Sequence, residues 1–383
     1  MSGVWWKDPS ELIEEQIEIL DLPLDRSLLI QGPPGSGKTN LLLLRANYMF
    51  LADQPNINVV VFGSVLRDFI QLGGDVYKFP RDRVTTHSRL FGFVLAENGV
   101  PVDTKGMSFV QSRDARRLGI SKLSEKGELG AVYQGLFLDE AQDYVPDEIK
   151  LLRKLTSTIT AASDSKQKIF DGDDCTQELK ASVDECRQLK YHFRNGRQIC
   201  RAADAIMQGK ANYTSMTQHS HYDEAEYPSS VLVRKGLDIE GQAAAIASQL
   251  NDQRVAYPED VIGVLCPRRQ ELDEIYGYLM HSPLAGEVTR CNEPGFDPNC
   301  HIWLTTISSS KGLEFRAVHL AGLDFISSTG AGQRRLAFTA VTRAKTSLTL
   351  YYEKKVPGYL DAAMRIFDPL KKSISKAMIF GKE

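Results

Sequence analysis

Residues Ile30–Asn40 read IQGPPGSGKTN, and Gly32–Thr39 within them fit the pattern G-x-x-x-x-G-K-[ST]. Glycines at 32, 35 and 37, with Ser36 between the last two, let successive backbone N–H groups turn inward around a phosphate. Lys38 then reaches the β- and γ-phosphates, and the Thr39 hydroxyl ligates Mg²⁺. The flanks suit such a loop: Ser27–Gln31 (SLLIQ) is a short apolar strand run, and Lys38–Phe50 (KTNLLLLRANYMF) reads as a helix whose N-terminus favours an anion. The stretch therefore predicts a P-loop and a bound nucleoside triphosphate rather than a Gly/Pro-rich surface turn. It leaves open what work the nucleotide does.

The chain has 383 residues, room for two domains of ordinary size. At 42% hydrophobic and 25% charged it is expected to fold as a soluble protein. Its formal net charge is −3, so any nucleic-acid surface has to be a local basic groove. The opening MSGVWWKDPS has no apolar signal core, and the apolar run Leu41–Leu51 is interrupted by Arg45 and too short to span a bilayer. A cytoplasmic protein without membrane contact is the expectation. Cysteines at 175, 186, 200, 266, 291 and 300 form no C-x-x-C pair and are expected to be reduced, mostly buried thiols. His219–His221 (HSH) with Asp223 offers metal-ligand side chains, but its polar setting favours a solvated loop.

Short apolar runs alternate with helical patterns along the chain, at Asn58–Gly63, Gly135–Asp143, Gln167–Asp174, Val261–Pro267, Ile302–Ser308, Ala317–Gly322 and Leu348–Glu353. Continuous apolar runs suit strands buried on both faces of parallel sheets, and two sets of them predict two α/β domains. Gln208–Ser230 and His281–Cys300 read as long loops or small insertions.

Three further constellations carry chemistry. LFLDEAQDY ends an apolar run in Asp139 and Glu140. A carboxylate there can hold Mg²⁺, and its neighbour can orient and deprotonate a water. Asp8-Pro9 opens a helix with the apolar stripe Leu12, Ile13, Ile17 and Leu20, beside which Gln16 offers a carboxamide that can pair with the N6/N7 edge of adenine. Arg194 in YHFRNGRQIC and Arg343 in LAFTAVTRAKTSLTL can stabilise charge on a γ-phosphate.

Taken in order, these pieces resemble the UvrD/Rep-like branch of the superfamily 1 helicases. EEQ at Gln16 resembles the adenine-reading glutamine motif, GPPGSGKT motif I, and VTTHSR (Val84–Arg89) the T-x-H-S segment that lies against a single strand. DEAQD (Asp139–Asp143) resembles motif II, DGDDCTQ (Asp171–Gln177) motif III, YHFRN (Tyr191–Asn195) motif IV, TTISSSKGLEF (Thr305–Phe315) motif V and FTAVTRAK (Phe338–Lys345) motif VI. The resemblance implies two RecA-like domains with parallel sheets, here 1–190 and 191–383, and ATP in the cleft between them. It implies that Lys38 and Thr39 bind phosphate and Mg²⁺, that Asp139 holds the metal and that Glu140 is the catalytic base. Gln177 senses the γ-phosphate, Phe193 stacks on adenine in place of the usual Tyr, Arg194 and Arg343 are arginine fingers, and Glu314 contacts the ribose. Thr86, His87, Ser88 and Thr306 contact the strand, which is tracked in the three-prime to five-prime direction.

The sequence departs from the family in four places. Motif III reads in two registers, Gly172-Asp173 supporting one and the D-x-x-Q spacing of Asp174–Gln177 the other. The base-stacking aromatic that follows this Gln in the family is absent from QELKASVDECRQL. Ser308 stands where motif V usually has His. Only 50 residues separate Ser88 from Asp139, and about 110 separate Arg194 from Thr306, so the large accessory insertions are missing or vestigial. The expectation is a compact ATP-hydrolysing motor on single-stranded nucleic acid, DNA in preference to RNA, that relies on a partner protein for grip or strand separation. The rivals are a nucleic-acid-gated ATPase switch inside a larger complex and, from another class, a small-molecule P-loop kinase or a non-catalytic nucleotide-binding scaffold. Ser112–Gly127 (SRDARRLGISKLSEKG) reads equally as a strand-binding segment or a solvated helix face.

Overall fold

The apolar run ahead of the glycine-rich loop is β1 (Leu28–Gln31), and it lies inside a sheet rather than at an edge. The other strands of that sheet are β2 (Ile57–Val61), β3 (Val84–Thr86), β4 (Tyr133–Leu138), β5 (Thr156–Ser163) and β6 (Glu185–Gln188), in the order β3-β2-β4-β5-β1-β6. A second sheet holds β7 (Ser230–Lys235), β8 (Ile262–Cys266), β9 (Val288–Arg290), β10 (Ile302–Thr306), β11 (Phe315–Leu320) and β12 (Ala344–Tyr352), in the order β7-β12-β11-β8-β10-β9. The computed structural model describes residues 9–367, apart from 73–76, 165–166, 168–172, 211–212, 292 and 331. Among the described residues every pairing within the two sheets is parallel. The architecture is two RecA-like α/β halves.

Parallel strands need crossover connections, so helices cover both faces and each strand sends alternate residues to opposite cores. Leu28, Ile30, Val59 and Val61 join one buried cluster of the first half, while Leu29 and Val60 join the other. Such strands read as continuous apolar runs. That is why β1, β2, β4, β8, β10, β11 and β12 were visible in the sequence.

Most of Gln167–Asp174, expected as a strand, lies outside the described residues, and the three described ones, Gln167, Asp173 and Asp174, are in no strand; just before it runs β5, which was not expected. Threonines hid β5. They are β-branched and suit a strand, and their hydroxyls are absorbed: Thr156 donates to Tyr133 O at 3.2 Å and Thr158 to Gln134 O at 3.0 Å. Likewise His281–Cys300 contains the edge strand β9. The Ser112–Gly127 segment is largely helical, within the helix Phe109–Glu125, and Arg113 on it is buried.

The N-terminal helix is broken. Pro9–Glu11 forms a 3₁₀ turn, and the α-helix proper runs Glu14–Leu20; Asp8 lies outside the described residues. Arg45, the charge inside the apolar run, explains how this helix is fixed. Its buried guanidinium donates to Ile19 O (3.0 Å), Leu22 O (2.9 Å) and Pro23 O (3.0 Å), satisfying carbonyls at and beyond the helix's C-terminal end. Burial lowers its pKa to about 10, so the side chain stays cationic at neutral pH. The P-loop helix Lys38–Leu51 thereby carries the Glu14–Leu20 helix, and with it Gln16. The six cysteines are free thiols, four of them buried. Among the described residues no helix is long and apolar enough to cross a membrane.

Candidate functional site: a cavity between the two halves

In open α/β sheets ligands bind beyond the carboxyl ends of the strands. Here the ends of β1, β4 and β5, with β5 between the other two, present the glycine-rich loop, Asp139–Glu140 and Asp164. The loop is tight. Gly35 and Gly37 have φ of +74° and +87°, where side chains with a Cβ are strained. A Cβ on Gly32 would lie 2.7 Å from Ser36 Oγ, and one on Gly37 would lie 2.7 Å from Gln16 Nε2. Lys38 Nζ donates to the carbonyls of Gly32 and Pro33, both at 2.8 Å. Burial lowers its pKa, against the opposing charges of Asp164 and Glu140. Gln16 is buried, donating to Ser36 O at 3.0 Å and accepting from Ile13 N at 3.3 Å.

Thr39 Oγ1 donates to Asp139 Oδ2 at 3.0 Å, so the two residues expected at the metal meet. Burial, reinforced by the Glu140 charge, raises the Asp139 carboxyl to about 6. Glu140 goes the other way. Burial alone would raise it, but Lys311, Arg343 and Lys38 hold it below the usual carboxylate range. Its backbone is left-handed, φ +50°. Its carboxylate accepts from Gln142 Nε2 at 2.5 Å and stands 3.6 Å from Lys311 Nζ.

The second half closes the cavity from the other side. Paired Phe315 and Ala344 start β11 and β12, which sets the preceding residues, Glu314 and Arg343, side by side. Glu314 is ion-paired with Arg194 and, at 3.2 Å, with Lys345; burial would raise its carboxyl and these cations hold it down. Arg343 is 1% exposed, donating to Thr339 O (3.1 Å), Leu313 O (3.1 Å) and Gln167 Oε1 (3.0 Å). Burial and the nearby Arg194 lower its pKa to about 10. Phe193 N–H donates to Gly35 O at 3.0 Å, which sets its ring at the mouth of the loop. The cavity enclosed is about 460 Å³ and is shared by Gln16, Lys38, Thr39, Asp139, Glu140, Phe193, Arg194, Glu314 and Arg343. A glycine cradle with no room for Cβ atoms, a lysine, and a hydroxyl–carboxylate pair fit a nucleoside triphosphate with Mg²⁺.

Other expected residues fall elsewhere. Gln177 is exposed on the helix Thr176–Ala181 and does not line the cavity. Gln167 does line it, bonded to Arg343 as above and donating to Thr342 Oγ1 at 3.4 Å. It keeps the same D-x-x-Q spacing, from Asp164, which was the available signal. Asp171 and Gly172, the start of the expected motif III, lie outside the described residues. Three residues after Gln167 stands an aromatic, Phe170, also outside them.

The T-x-H-S segment is built into the first half. Thr86 caps the helix His87–Glu97, accepting from Arg89 N at 3.3 Å. His87 is 2% exposed, with Nε2 3.0 Å from Glu148 Oε1, and its ring lies parallel to Phe62. Arg113 Nε donates to the same Oε1 at 2.7 Å, and its Nη2 donates to Asp143 O at 2.8 Å. Buried Thr86 and His87 present no surface to a strand; Ser88 is half-buried. Thr306 ends β10, its hydroxyl turned onto those of Ser308 (3.2 Å) and Ser309 (3.1 Å). Lys311, inside the quoted motif V but given no role from sequence, crosses between the halves to pair with Asp143 and donates to Gln167 O at 2.6 Å.

Residues 301–351, from β10 through most of β12, match the UvrD-like helicase C-terminal domain. That match covers part of the second half, in a chain whose two RecA-like halves surround this cavity, so the likeness to a helicase is shown for that segment. Among solved structures, the PRRSV helicase is similar at 19% identity over 88% of this chain and 54% of that one, with a TM-score of 0.42. The C-terminal domain of a possible DNA helicase from Lactobacillus plantarun WCFS1 is similar at 18% identity over 45% of this chain and 93% of that one, with a TM-score of 0.33. The chain thus spans about half the length of the PRRSV helicase structure. No curated protein matches it.

Proposed function

We propose that the chain is a cytoplasmic ATP-hydrolysing motor on single-stranded nucleic acid, DNA in preference to RNA, with functional domains 1–190 and 191–383. The observation that carries this reading is the shared cavity: Lys38, Asp139 and Glu140 from one half face Arg194 and Arg343 from the other. In this reading Gly32, Gly35, Ser36, Gly37 and Lys38 cradle the phosphates, and Thr39 with Asp139 holds Mg²⁺. Glu140, kept ionised by its cationic neighbours, takes the proton of the attacking water. Arg194 and Arg343 must leave Glu314 and Gln167 to meet the γ-phosphate, which couples hydrolysis to movement of one half against the other. Gln167, not Gln177, links the γ-phosphate to Arg343.

The strand, in the same reading, lies in a groove of about 260 Å³ lined by Phe62, Ser64, Phe109, Ser308, Ser309 and Lys311, and also by Glu140. Hydroxyls and an ammonium suit phosphates, and exposed Phe109 suits a base. Because Glu140 lines both this groove and the nucleotide cavity, the two ligands share a wall. Lys311 favours a second reading, the strand-gated switch: a strand phosphate that draws Lys311 off Asp143 and Glu140 would release the base. A partner protein that adds grip or strand separation stays in the proposal on the strength of the short insertions and the net charge of −3; Phe170 removes the missing aromatic as a reason.

Steady-state ATP hydrolysis with and without single-stranded DNA or RNA, beside strand separation on a tailed duplex, tests the proposal. Hydrolysis stimulated by DNA more than RNA supports it, and stimulation without unwinding favours the switch. Hydrolysis indifferent to both nucleic acids sinks the motor and the switch alike.

A further inference from the structure

The HSH triplet is half-buried to exposed, and its backbone is tied down. His192 N–H donates to His219 O at 3.1 Å and His221 N–H donates to His192 O at 2.8 Å, a bridge set immediately before Phe193. Upstream, the Asp204 carboxylate accepts from the backbone N–H groups of Met216 (2.7 Å) and Thr217 (3.1 Å) and from the Ser215 and Thr217 hydroxyls, both at 2.6 Å. Downstream, the Tyr222 hydroxyl bonds Thr346 Oγ1 at 2.7 Å. The segment is thus held on either side of His221 while the His221 side chain remains exposed.

That side chain lines the cavity beside Phe193. Its ring centroid is 5.7 Å from that of Phe193, inclined by 49°, and 4.5 Å from that of Tyr191, inclined by 72°. The Tyr191 ring packs edge-on against the imidazole. Leu12 and Gln16 line the same cavity from the first half. A carboxamide has two donors and two acceptor sites, and Gln16 spends one of each on Ser36 O and Ile13 N, which leaves one pair for a base edge. Among the described residues no group of three or more His, Cys, Asp or Glu side chains is placed to hold a metal.

We propose that His221 is a base-selectivity residue: with Phe193 it forms a two-ring corner that favours a purine over a pyrimidine nucleoside triphosphate. This rests on reading the cavity as a nucleotide site. Aromatic pairs gain most in offset or edge-to-face contact with centroids about 4.5–7 Å apart. A purine stacked on Phe193 is long enough to reach the inclined His221 ring. A single-ring pyrimidine in the same place covers Phe193 alone.

The test is displacement of a fluorescent ATP analogue by ATP, GTP, CTP and UTP from the full chain and from its His221→Ala and His221→Phe variants. We expect His221→Ala to weaken ATP and GTP by about tenfold, the loss of one stacking contact, and CTP and UTP by about twofold or less. His221→Phe should restore the purine preference, because it restores the ring. Equal weakening of all four nucleotides by His221→Ala, or no weakening, overturns the proposal while leaving the nucleotide site standing. A wild-type chain that fails to bind the analogue overturns both.

Discussion

Two short polar segments end strands of the first sheet with only β2 between them, and they have opposite fates. After β4, Asp139 and Glu140 face the cavity between the halves. After β3, Thr86 and His87 are folded beneath the surface. Their flanks account for the difference. Beyond β4 the chain takes a left-handed turn at Glu140, φ +50°, a conformation that costs on the order of 1 kcal/mol or more in a non-glycine residue, and the acid projects toward Lys311 and Arg343. Beyond β3 a helix begins at once, and its first residue, His87, reaches a fully buried carboxylate, Glu148. Burial alone does not separate the two ends, since Asp139 is as buried as His87; Asp139 and Glu140 line the cavity between the halves, whereas His87 is paired with a carboxylate inside one half.

If the β4 end is chemical and the β3 end structural, substitutions should separate rate from stability. The largest effect is expected at Arg343. Arginine fingers supply about 10³-fold or more in rate, so Arg343→Ala should lower single-turnover hydrolysis by that order while nucleotide binding by the first half persists. Turnover within a few-fold of wild type would remove Arg343 from the chemistry. Glu140→Gln comes next. A positioned general base contributes about 10²–10⁴-fold, and the amide keeps the shape without accepting a proton. We expect ATP binding intact and hydrolysis lost, whereas Lys38→Ala should lose ATP affinity, both read by analogue binding beside phosphate release.

At the β3 end the expected loss is in stability. Burial would raise the Glu148 carboxyl, but hydrogen bonds from Arg113 and His87 outweigh it and hold the group at about 2. Because the folded-state value lies below the ordinary 4.5, the stabilisation is present above about pH 4.5 and is lost as pH falls toward 2. Removing one partner of a buried ion pair costs about 3–5 kcal/mol. Glu148→Ala should lower the denaturation midpoint accordingly and flatten the acid limb of the stability curve. His87→Ala should destabilise the fold less, and leave single-strand affinity unchanged below its melting temperature. A specific loss of strand affinity in a fully folded His87→Ala protein would reverse the contrast between the two strand ends.

Much of the site was legible because its residues carry their own context. Gly32–Thr39 follow an apolar strand and open a helix, and Asp139-Glu140 end one. Other parts were illegible for physical reasons. Arg45, Arg113 and Glu148 are charged residues whose long-range partners lie 22 to 61 positions away, so no local pattern announces them as buried. β5 was disguised by threonines whose hydroxyls are satisfied by the neighbouring strand. His221 owes its place to a backbone bridge with His192, which polarity and spacing do not encode.

The smallest effect tests the choice between two glutamines with the same spacing. Asp164–Gln167 and Asp174–Gln177 both read D-x-x-Q. Gln167 is 3% exposed, accepts from Arg343 Nη2 and gives its carbonyl oxygen to Lys311, so it touches two cations of the second half. Gln177 is exposed on a short helix. Among the described residues, Gln167→Ala removes the Arg343 and Thr342 contacts, while the Lys311 bond goes to the backbone and survives. A hydrogen bond to a charged group is worth about 1.5–3 kcal/mol, and part of the loss should be masked because Arg343 keeps its bonds to Thr339 and Leu313. We therefore expect roughly a tenfold fall in kcat for Gln167→Ala, and a change within about twofold for Gln177→Ala, whose solvated side chain belongs to the class of surface substitutions that alter little. Parallel steady-state assays at saturating ATP decide it. A larger loss from Gln177→Ala would mean that the helix Thr176–Ala181 moves to the cavity during turnover, and would return the sensing role to it.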